Sequence, residues 1–243
     1  MGGRKRADLL LVERGMFESR ARAQAAIEAG RVTANGKPIA KPSETIPDDA
    51  VINAEPAHPW VSRGGVKLAG ALEQYPIDIE DHVCVDVGAS TGGFTEVLLN
   101  YGASLVYAID VGREQLHPSL RGNPKIISME ETDIRSLAGK RLEKRPDIVV
   151  IDVSFISLKH VLPAVLPLAA APMHLLALIK PQFEADRKHS KKGIIRDEAV
   201  HRAVCDDISA FAASLGCAEI KVFPSSITGG DGNTEFFLGA RRG

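Results

Sequence analysis

The residues Val83-Cys84-Val85-Asp86-Val87-Gly88-Ala89-Ser90-Thr91-Gly92-Gly93-Phe94-Thr95 constrain the fold of this chain more than any other stretch. An apolar run ends in a glycine-rich turn, and apolar residues at helical spacing follow it. A buried strand feeding such a turn and helix opens a parallel α/β layer, because the helix carries the chain back to start the next strand alongside. The rest of the chain keeps this alternation. Strands are expected at 83–87, 105–110, 125–129, 148–152, 175–179, 219–223 and 234–239, and helices at 66–74, 93–101 and 197–215. Ile148-Val149-Val150-Ile151 is apolar on both faces, as a central parallel strand covered on both sides must be. The expected class is α/β, a doubly wound, Rossmann-like, mostly parallel sheet of seven strands. The 243 residues leave room for a small module ahead of it.

The glycine spacing departs from the dinucleotide pattern G-x-G-x-x-G, and no Gly-Lys-Ser/Thr follows, so neither that fingerprint nor a P-loop is present. A nucleoside cofactor without a pyrophosphate suits the turn better, and S-adenosylmethionine is such a molecule. The expected cofactor site comprises Asp86, Gly88, Ala89, Ser90, Thr91, Gly92, Gly93 and Phe94, with Asp110 and Asp133. The glycines would let the backbone lie close to the methionine part, and Asp86 would sit near its ammonium or sulfonium end. Asp110 ends the next strand, 22 residues after Gly88, where an acid can accept from two ribose hydroxyls. Asp133, after the third strand, stands where an acid or amide meets the adenine amino group. Any one of these could be a loop acid or a turn glycine; on consecutive strand ends they make one site.

Asp152 and Lys180 end neighbouring strands near the middle of the sheet. A lysine directly after a buried strand is costly unless paired, and Asp152 is within reach. Lys67 falls in the helix ahead of the sheet and Glu235 in the last strand. Cys84, Cys205 and Cys217 form no C-x-x-C pair, so no metal site and no disulfide framework is expected, which suits a reducing cytoplasm. Residues 161–179 carry no formal charge apart from His174, but Pro163, Pro167 and Pro172 interrupt them. They read as a helix, a turn and a strand rather than a membrane span.

Residues 1–41 hold nine Lys/Arg against four Asp/Glu, a net of +5 in a chain of formal charge −1. Such asymmetry marks a nucleic-acid anchor joined to a catalytic body, although an ordinary solvated face has the same composition. Helices are expected at 7–14 and 20–29, closed by Gly15 and Gly30, with Ser19 capping the second. A hairpin around Asn35-Gly36 and a strand at 50–54 follow. This order, with Ser19-Arg20-Ala21-Arg22-Ala23, Ile27, Gly30-Arg31-Val32 and Asn35-Gly36, resembles the S4 RNA-binding domain. The resemblance implies that Arg4, Arg6, Arg20, Arg22 and Arg31 bind RNA phosphates. Glu55-Pro56-Ala57-His58-Pro59 is stiff and proline-rich, and Trp60 after it is expected to anchor it on the next domain. The expected domains are 1–58, an S4-like module; 59–62, a linker; and 63–243, the catalytic domain. The basic loop Arg187-Lys188-His189-Ser190-Lys191-Lys192-Gly193 is either a lip whose Lys188, Lys191 and Lys192 clamp RNA or a solvated loop.

Lys67, Asp152, Lys180 and Glu235 match in order and context the K-D-K-E tetrad of FtsJ-like ribose 2′-O-methyltransferases. Further matching text is Trp60-Val61-Ser62-Arg63-Gly64-Gly65, Asp152-Val153-Ser154-Phe155-Ile156-Ser157, Lys180-Pro181-Gln182-Phe183-Glu184 and Gly232-Asn233-Thr234-Glu235-Phe236. With the S4-like module in front, nearly the full chain resembles the TlyA, or hemolysin A, family. The resemblance implies S-adenosylmethionine-dependent methylation of the ribose 2′-hydroxyl of cytidine in 23S, and in some members 16S, ribosomal RNA. Its partners would be ribosomal RNA or ribosomal subunits, with no metal and no membrane. Lys180 would be the base or steering group: a second cation and partial burial favour its neutral form, Asp152 its charged form, and both roles stay open. A buried ion-pair network serving stability alone is the alternative. Two other functions remain. A membrane-active protein is suggested by the family's older name but opposed by the missing span and cationic amphipathic helix. A methyltransferase for a non-RNA substrate is disfavoured by the S4-like module.

Overall fold

The computed structural model describes residues 3–140, 142–190 and 192–243, and of Arg187 the backbone alone. Its contacts divide the chain into two compact units, before and after the Pro59–Trp60 bond.

In the first unit, β1 (Arg4–Arg6) runs into α1 (Ala7–Glu13). Helix α2 (Arg20–Glu28) and strands β2 (Val32–Ala34), β3 (Lys37–Pro38), β4 (Thr45–Pro47) and β5 (Ile52–Ala54) follow. Ser19 caps α2 by accepting from the Arg22 amide. Asn35 and Gly36 take the positive φ that a tight turn between β2 and β3 requires. Leu10, Leu11, Ala23, Ala26, Ile27 and Val32 close a core of their own. The antiparallel β1–β4 pair has no sequence signal, because Arg4-Lys5-Arg6 offers no apolar residue to mark a strand. The strand expected at 50–54 begins only at Ile52, since the Ala50 amide closes a turn onto the Pro47 carbonyl.

The second unit opens with α3 (Arg63–Gln74), β6 (Val83–Val87), α4 (Gly93–Asn100), β7 (Leu105–Ile109) and β8 (Ile126–Met129). It continues with β9 (Ile148–Ile151), α5 (Leu158–Val165), β10 (Met173–Ile179), α6 (Pro181–Glu184), α7 (Glu198–Ser214), β11 (Ala218–Pro224) and β12 (Phe236–Arg242). The seven strands lie in the order β11-β12-β10-β9-β6-β7-β8, and β12 runs antiparallel to both its neighbours. The centre of the sheet is buried on both faces. Ile148 and Val150 of β9 join Leu68 of α3 and Leu98 of α4 on one side. Val149 and Ile151 join Leu162 of α5 and Ile208 of α7 on the other. That two-sided burial is why β9 reads as an unbroken apolar run.

Three boundaries differ from expectation. Helix α3 starts at Arg63 rather than 66, through two glycines that allow close packing. A Cβ on Gly65 would stand 2.4 Å from Trp60 carbons, and Trp60 itself packs against the cluster holding Leu68. Strand β10 begins at Met173, two residues before the expected start. Strand β12 spans 236–242 rather than 234–239, so Glu235 precedes the last strand instead of lying in it. The reason is local: Asp231 and Asn233 fold 229–233 into a hydrogen-bonded turn, and the ladder with β10 starts only at Phe236 opposite Ile179.

Candidate active site

The glycine-rich turn after β6 is shaped by close approach of backbone. Gly88 has φ +85°, and a Cβ there would stand 2.3 Å from the Asp152 carbonyl oxygen, so only glycine fits. The Ser90 amide donates to one Asp110 oxygen at 2.8 Å and the Gly112 amide to the other at 2.7 Å. The Asp110 carboxylate is thereby fixed at the end of β7. A cavity of about 400 Å³ opens over these strand ends. Gly88, Ser90, Asp110 and Asp133 line it, together with Asp152 and Phe155.

The expected cofactor residues therefore separate. Gly88, Ser90, Asp110 and Asp133 line the cavity; Ala89, Thr91, Gly92, Gly93 and Phe94 do not. Gly92 and Gly93 are tightly packed: a Cβ on Gly92 would meet Leu120 at 2.4 Å, and one on Gly93 would meet Ser62 Oγ at 2.2 Å. Phe94 is core, stacked on Phe237. Asp133 caps the short helical turn Ile134–Leu137 and is gripped by the Arg135 guanidinium, which holds its carboxyl below the usual range. Asp86 is fully buried; burial pushes its carboxyl up to about 7, against the Thr95 hydroxyl that donates to Oδ2 at 2.7 Å. Its Oδ1 has no hydrogen-bond partner among the described residues.

The four expected catalytic residues form two ion pairs. Lys180 Nζ lies 2.6 Å from Asp152 Oδ1, off the axis of an aligned hydrogen bond, and donates to Ser154 Oγ at 2.9 Å. Lys67 Nζ lies 2.6 Å from Glu235 Oε2. Lys67, Lys180 and Glu235 are all buried. The register explains the assembly: Ile179 pairs with Phe236, so Lys180 and Glu235 leave the ladder side by side. Ala177 pairs with Ile151, which brings Asp152 to the same sheet edge.

The sequence reading gave no role to Thr95, Ser154, Asn233 or Glu184. Asn233, almost fully buried, accepts from the Ile195 amide and donates to the Gly193 carbonyl, tying the basic loop to the turn before Glu235. Glu184 takes the Ser157 hydroxyl and the Leu158 amide, holding the start of α5. Both lie in stretches quoted above, but polar residues at loop ends carry no periodic signal.

Of the expected RNA-binding residues, Arg6 and Arg20 converge on Asp8, which has no exposed surface and also accepts from Gln24. The Arg6 bond, ahead of burial, holds the Asp8 carboxyl far below its usual range. Arg4 donates to the Thr45 carbonyl, Arg31 faces Glu55 at 3.6 Å, and Lys188 faces Asp186 at 3.0 Å. Arg22 is partly buried and Lys192 is exposed. Lys191 lies outside the described residues. No group of described His, Cys, Asp and Glu could hold a metal ion, and no described helix is long and apolar enough to cross a membrane.

Comparison with known proteins agrees with this geometry. Residues 60–242 match the model of the FtsJ-like methyltransferase family, and residues 5–52 match the S4 domain. The chain is 43% identical to the Bacillus subtilis protein YqxC, provisionally named an rRNA methyltransferase, over 97% of this chain and 85% of that one. It is 40% identical to the 16S/23S rRNA (cytidine-2′-O)-methyltransferase TlyA of Mycobacterium tuberculosis, over 99% and 91%. A solved structure from Streptococcus thermophilus, provisionally described as a hemolysin, superposes with a TM-score of 0.77 at 39% identity, covering 100% of this chain and 90% of that one. The sheet is that of S-adenosylmethionine-dependent methyltransferases. With that match over most of its length and an S4 domain ahead of it, this chain belongs to the FtsJ-like methyltransferase family.

Proposed function

We propose that this protein is a cytoplasmic ribosomal RNA (cytidine-2′-O)-methyltransferase that uses S-adenosylmethionine and modifies 23S and, as a further target, 16S rRNA. The observation that carries the reading is the position of Asp152. It stands on the wall of the 400 Å³ cavity and pairs with Lys180 at 2.6 Å, so one residue joins the cofactor cavity to the reacting lysine.

The cavity suits this cofactor. Its volume falls in the range of about 300–1,000 Å³ usual for small-ligand sites. Asp110, fixed by two backbone amides, faces ribose hydroxyls; Ile134, Val153 and Phe155 offer apolar surface to adenine. The partnerless Oδ1 of Asp86 is a buried acceptor near the turn that would take the methionine part. Bound there, S-adenosylmethionine supplies an electrophilic methyl group.

The protein must then present a nucleophile. A ribose hydroxyl is a weak acid, so it needs alignment and a proton acceptor as the new bond forms. Lys180 Nζ, held between Asp152 and Ser154, steers the hydroxyl or takes its proton. Lys67, oriented by Glu235, adds a fixed positive charge that stabilises negative charge developing on the oxygen. RNA as substrate is supported by the S4 domain and by the names of the relatives. Arg4, Arg22, Arg31, Lys188 and Lys192 would meet phosphates, with Arg6 and Arg20 presented in fixed geometry by Asp8. The division into an S4 module at 1–58, a linker at 59–62 and a catalytic domain at 63–243 belongs to the same reading. The test is incubation with unmodified rRNA and methyl-labelled S-adenosylmethionine. Label should enter RNase-sensitive material, and Lys180→Met should abolish it while calorimetric cofactor binding persists. Label confined to protein, or vesicle leakage without methyl transfer, would overturn the proposal.

A further inference from the structure

A second cavity, of about 720 Å³, lies on the catalytic unit between the start of α7 and the sheet edge formed by β11 and β12. Its floor is apolar: Ile195, Val222, Phe223 and Phe236. His201, buried, stands edge-on to the Phe236 ring at 5.5 Å, fixed by its Nε2 against the Ile195 carbonyl. Its rim is cationic. Arg196 and Arg202 line it, both exposed, and neither meets a carboxylate among the described residues. Glu198, in the first turn of α7, is the one acid among its described lining residues. A neighbouring cavity of about 790 Å³ shares Ile194 and Arg196 and adds His189, Lys192 and the acid Asp197. Through that shared wall the two make one trough, in which the cations Lys192, Arg196 and Arg202 outnumber the acids Asp197 and Glu198 among the described lining residues.

The trough is joined to the reacting groups. Its wall residue Thr234 is the neighbour in sequence of Glu235, which holds Lys67. Asn233 bonds the Ile195 amide and the Gly193 carbonyl, so the cationic side is clamped to that same turn. An apolar slot with an aromatic wall and exposed arginines beside it is the chemistry that takes an unstacked base and its flanking phosphates. A ribose presented to a fixed methyl donor must also have its strand held on at least one side, or alignment is lost.

We infer that this trough binds single-stranded RNA, the slot receiving a nucleotide beside the methylated one and Arg196 and Arg202 its phosphates. The inference rests on the reading of the protein as an RNA methyltransferase and adds a strand-holding site on the catalytic unit, separate from the S4 domain. Because both arginines are exposed, Arg196→Ala/Arg202→Ala folds as the native chain does. The full-length double variant and the wild type are titrated with unmodified rRNA at several salt concentrations, and with S-adenosylhomocysteine alone. RNA affinity should fall about tenfold or more and the salt slope by about 1.4, the value for two phosphates of a single strand. Affinity for S-adenosylhomocysteine should not change. Photo-crosslinking of rRNA substituted with 4-thiouridine should label residues 194–205 or 232–236. Unchanged RNA affinity and slope, in a wild type that methylates RNA, overturn the inference and leave the proposed function standing. Crosslinks confined to residues outside the trough, or capture of a ribosomal protein there with RNA affinity unchanged, do the same. A wild type that neither binds nor methylates rRNA removes both readings together.

Discussion

Removing one member of the Lys67–Glu235 pair strands a charge away from water. The two side chains keep 9% and 3% exposure and meet at 2.6 Å. Lys67→Met leaves a buried carboxylate and Glu235→Met a buried ammonium, and each should cost about 3–5 kcal/mol. In a unit of this size that lowers the unfolding midpoint by about 8–15 °C. The double variant leaves neither charge. Apolar replacement of a whole buried pair is commonly near neutral, so its stability should return to within about 1 kcal/mol of the wild type. Turnover should follow a different pattern: all three variants should lose about 100-fold or more, because the pair acts within one reacting unit. Thermal and urea unfolding measure the first quantity, and initial rates of methyl incorporation the second. A double variant as unstable as the two singles summed would refute the buried-pair energetics. A double variant with near-native turnover would show that the pair serves the fold alone.

Three further outcomes follow from the cofactor side. Asp86, pushed up to about 7 by burial, should ionise when a cationic ligand group arrives, so binding S-adenosylmethionine at pH 6.5 should release protons from this carboxyl. Calorimetry in buffers of different ionisation enthalpy reads this, and Asp86→Asn should abolish it. The folded-state value lies above the unfolded one, so the stabilisation this carboxyl contributes at acid pH is lost as pH rises through about 7; urea unfolding should show that loss in the wild type and not in Asp86→Asn. Gly88→Ala should cost more than about 1–2 kcal/mol, since it forces a side chain into left-handed backbone and onto the Asp152 carbonyl; unaltered urea unfolding would contradict that. Asp110→Ala should weaken S-adenosylmethionine binding by about 1–3 kcal/mol in calorimetry, the loss of hydrogen bonds to buried hydroxyls, and an unchanged affinity would take Asp110 out of the site.

The central sheet was legible because burial writes itself into sequence. Val83–Val87, Asp86 apart, and Ile148–Ile151 are apolar on both faces, and the structure covers both faces. Lys180 was legible as an anomaly, a cation at the end of such a strand, and it proves buried and paired. What escaped was set by hydrogen bonds and sterics rather than by periodicity. The strand Arg4–Arg6 is basic throughout and is held by backbone pairing. Glu235 falls outside β12 because Asp231 and Asn233 turn the chain just before it. Gly92 and Gly93 were legible as turn glycines, but not the neighbouring side chains and backbone that leave no room for a Cβ there. Arg6 and Arg20 look like free phosphate ligands, and only the fold brings buried Asp8 between them.

The measurement that tests the account most directly is the position of the transferred methyl group. Unmodified rRNA is methylated by the wild type and by Lys180→Ala, then hydrolysed in alkali and digested to nucleosides. The account predicts one local block to alkaline cleavage per modified site and 2′-O-methylcytidine in the digest, with the rate for Lys180→Ala lower by about 10²–10⁴-fold at unchanged cofactor affinity. A methyl group on a base, or a Lys180→Ala protein that turns over at near-native rate, would contradict it.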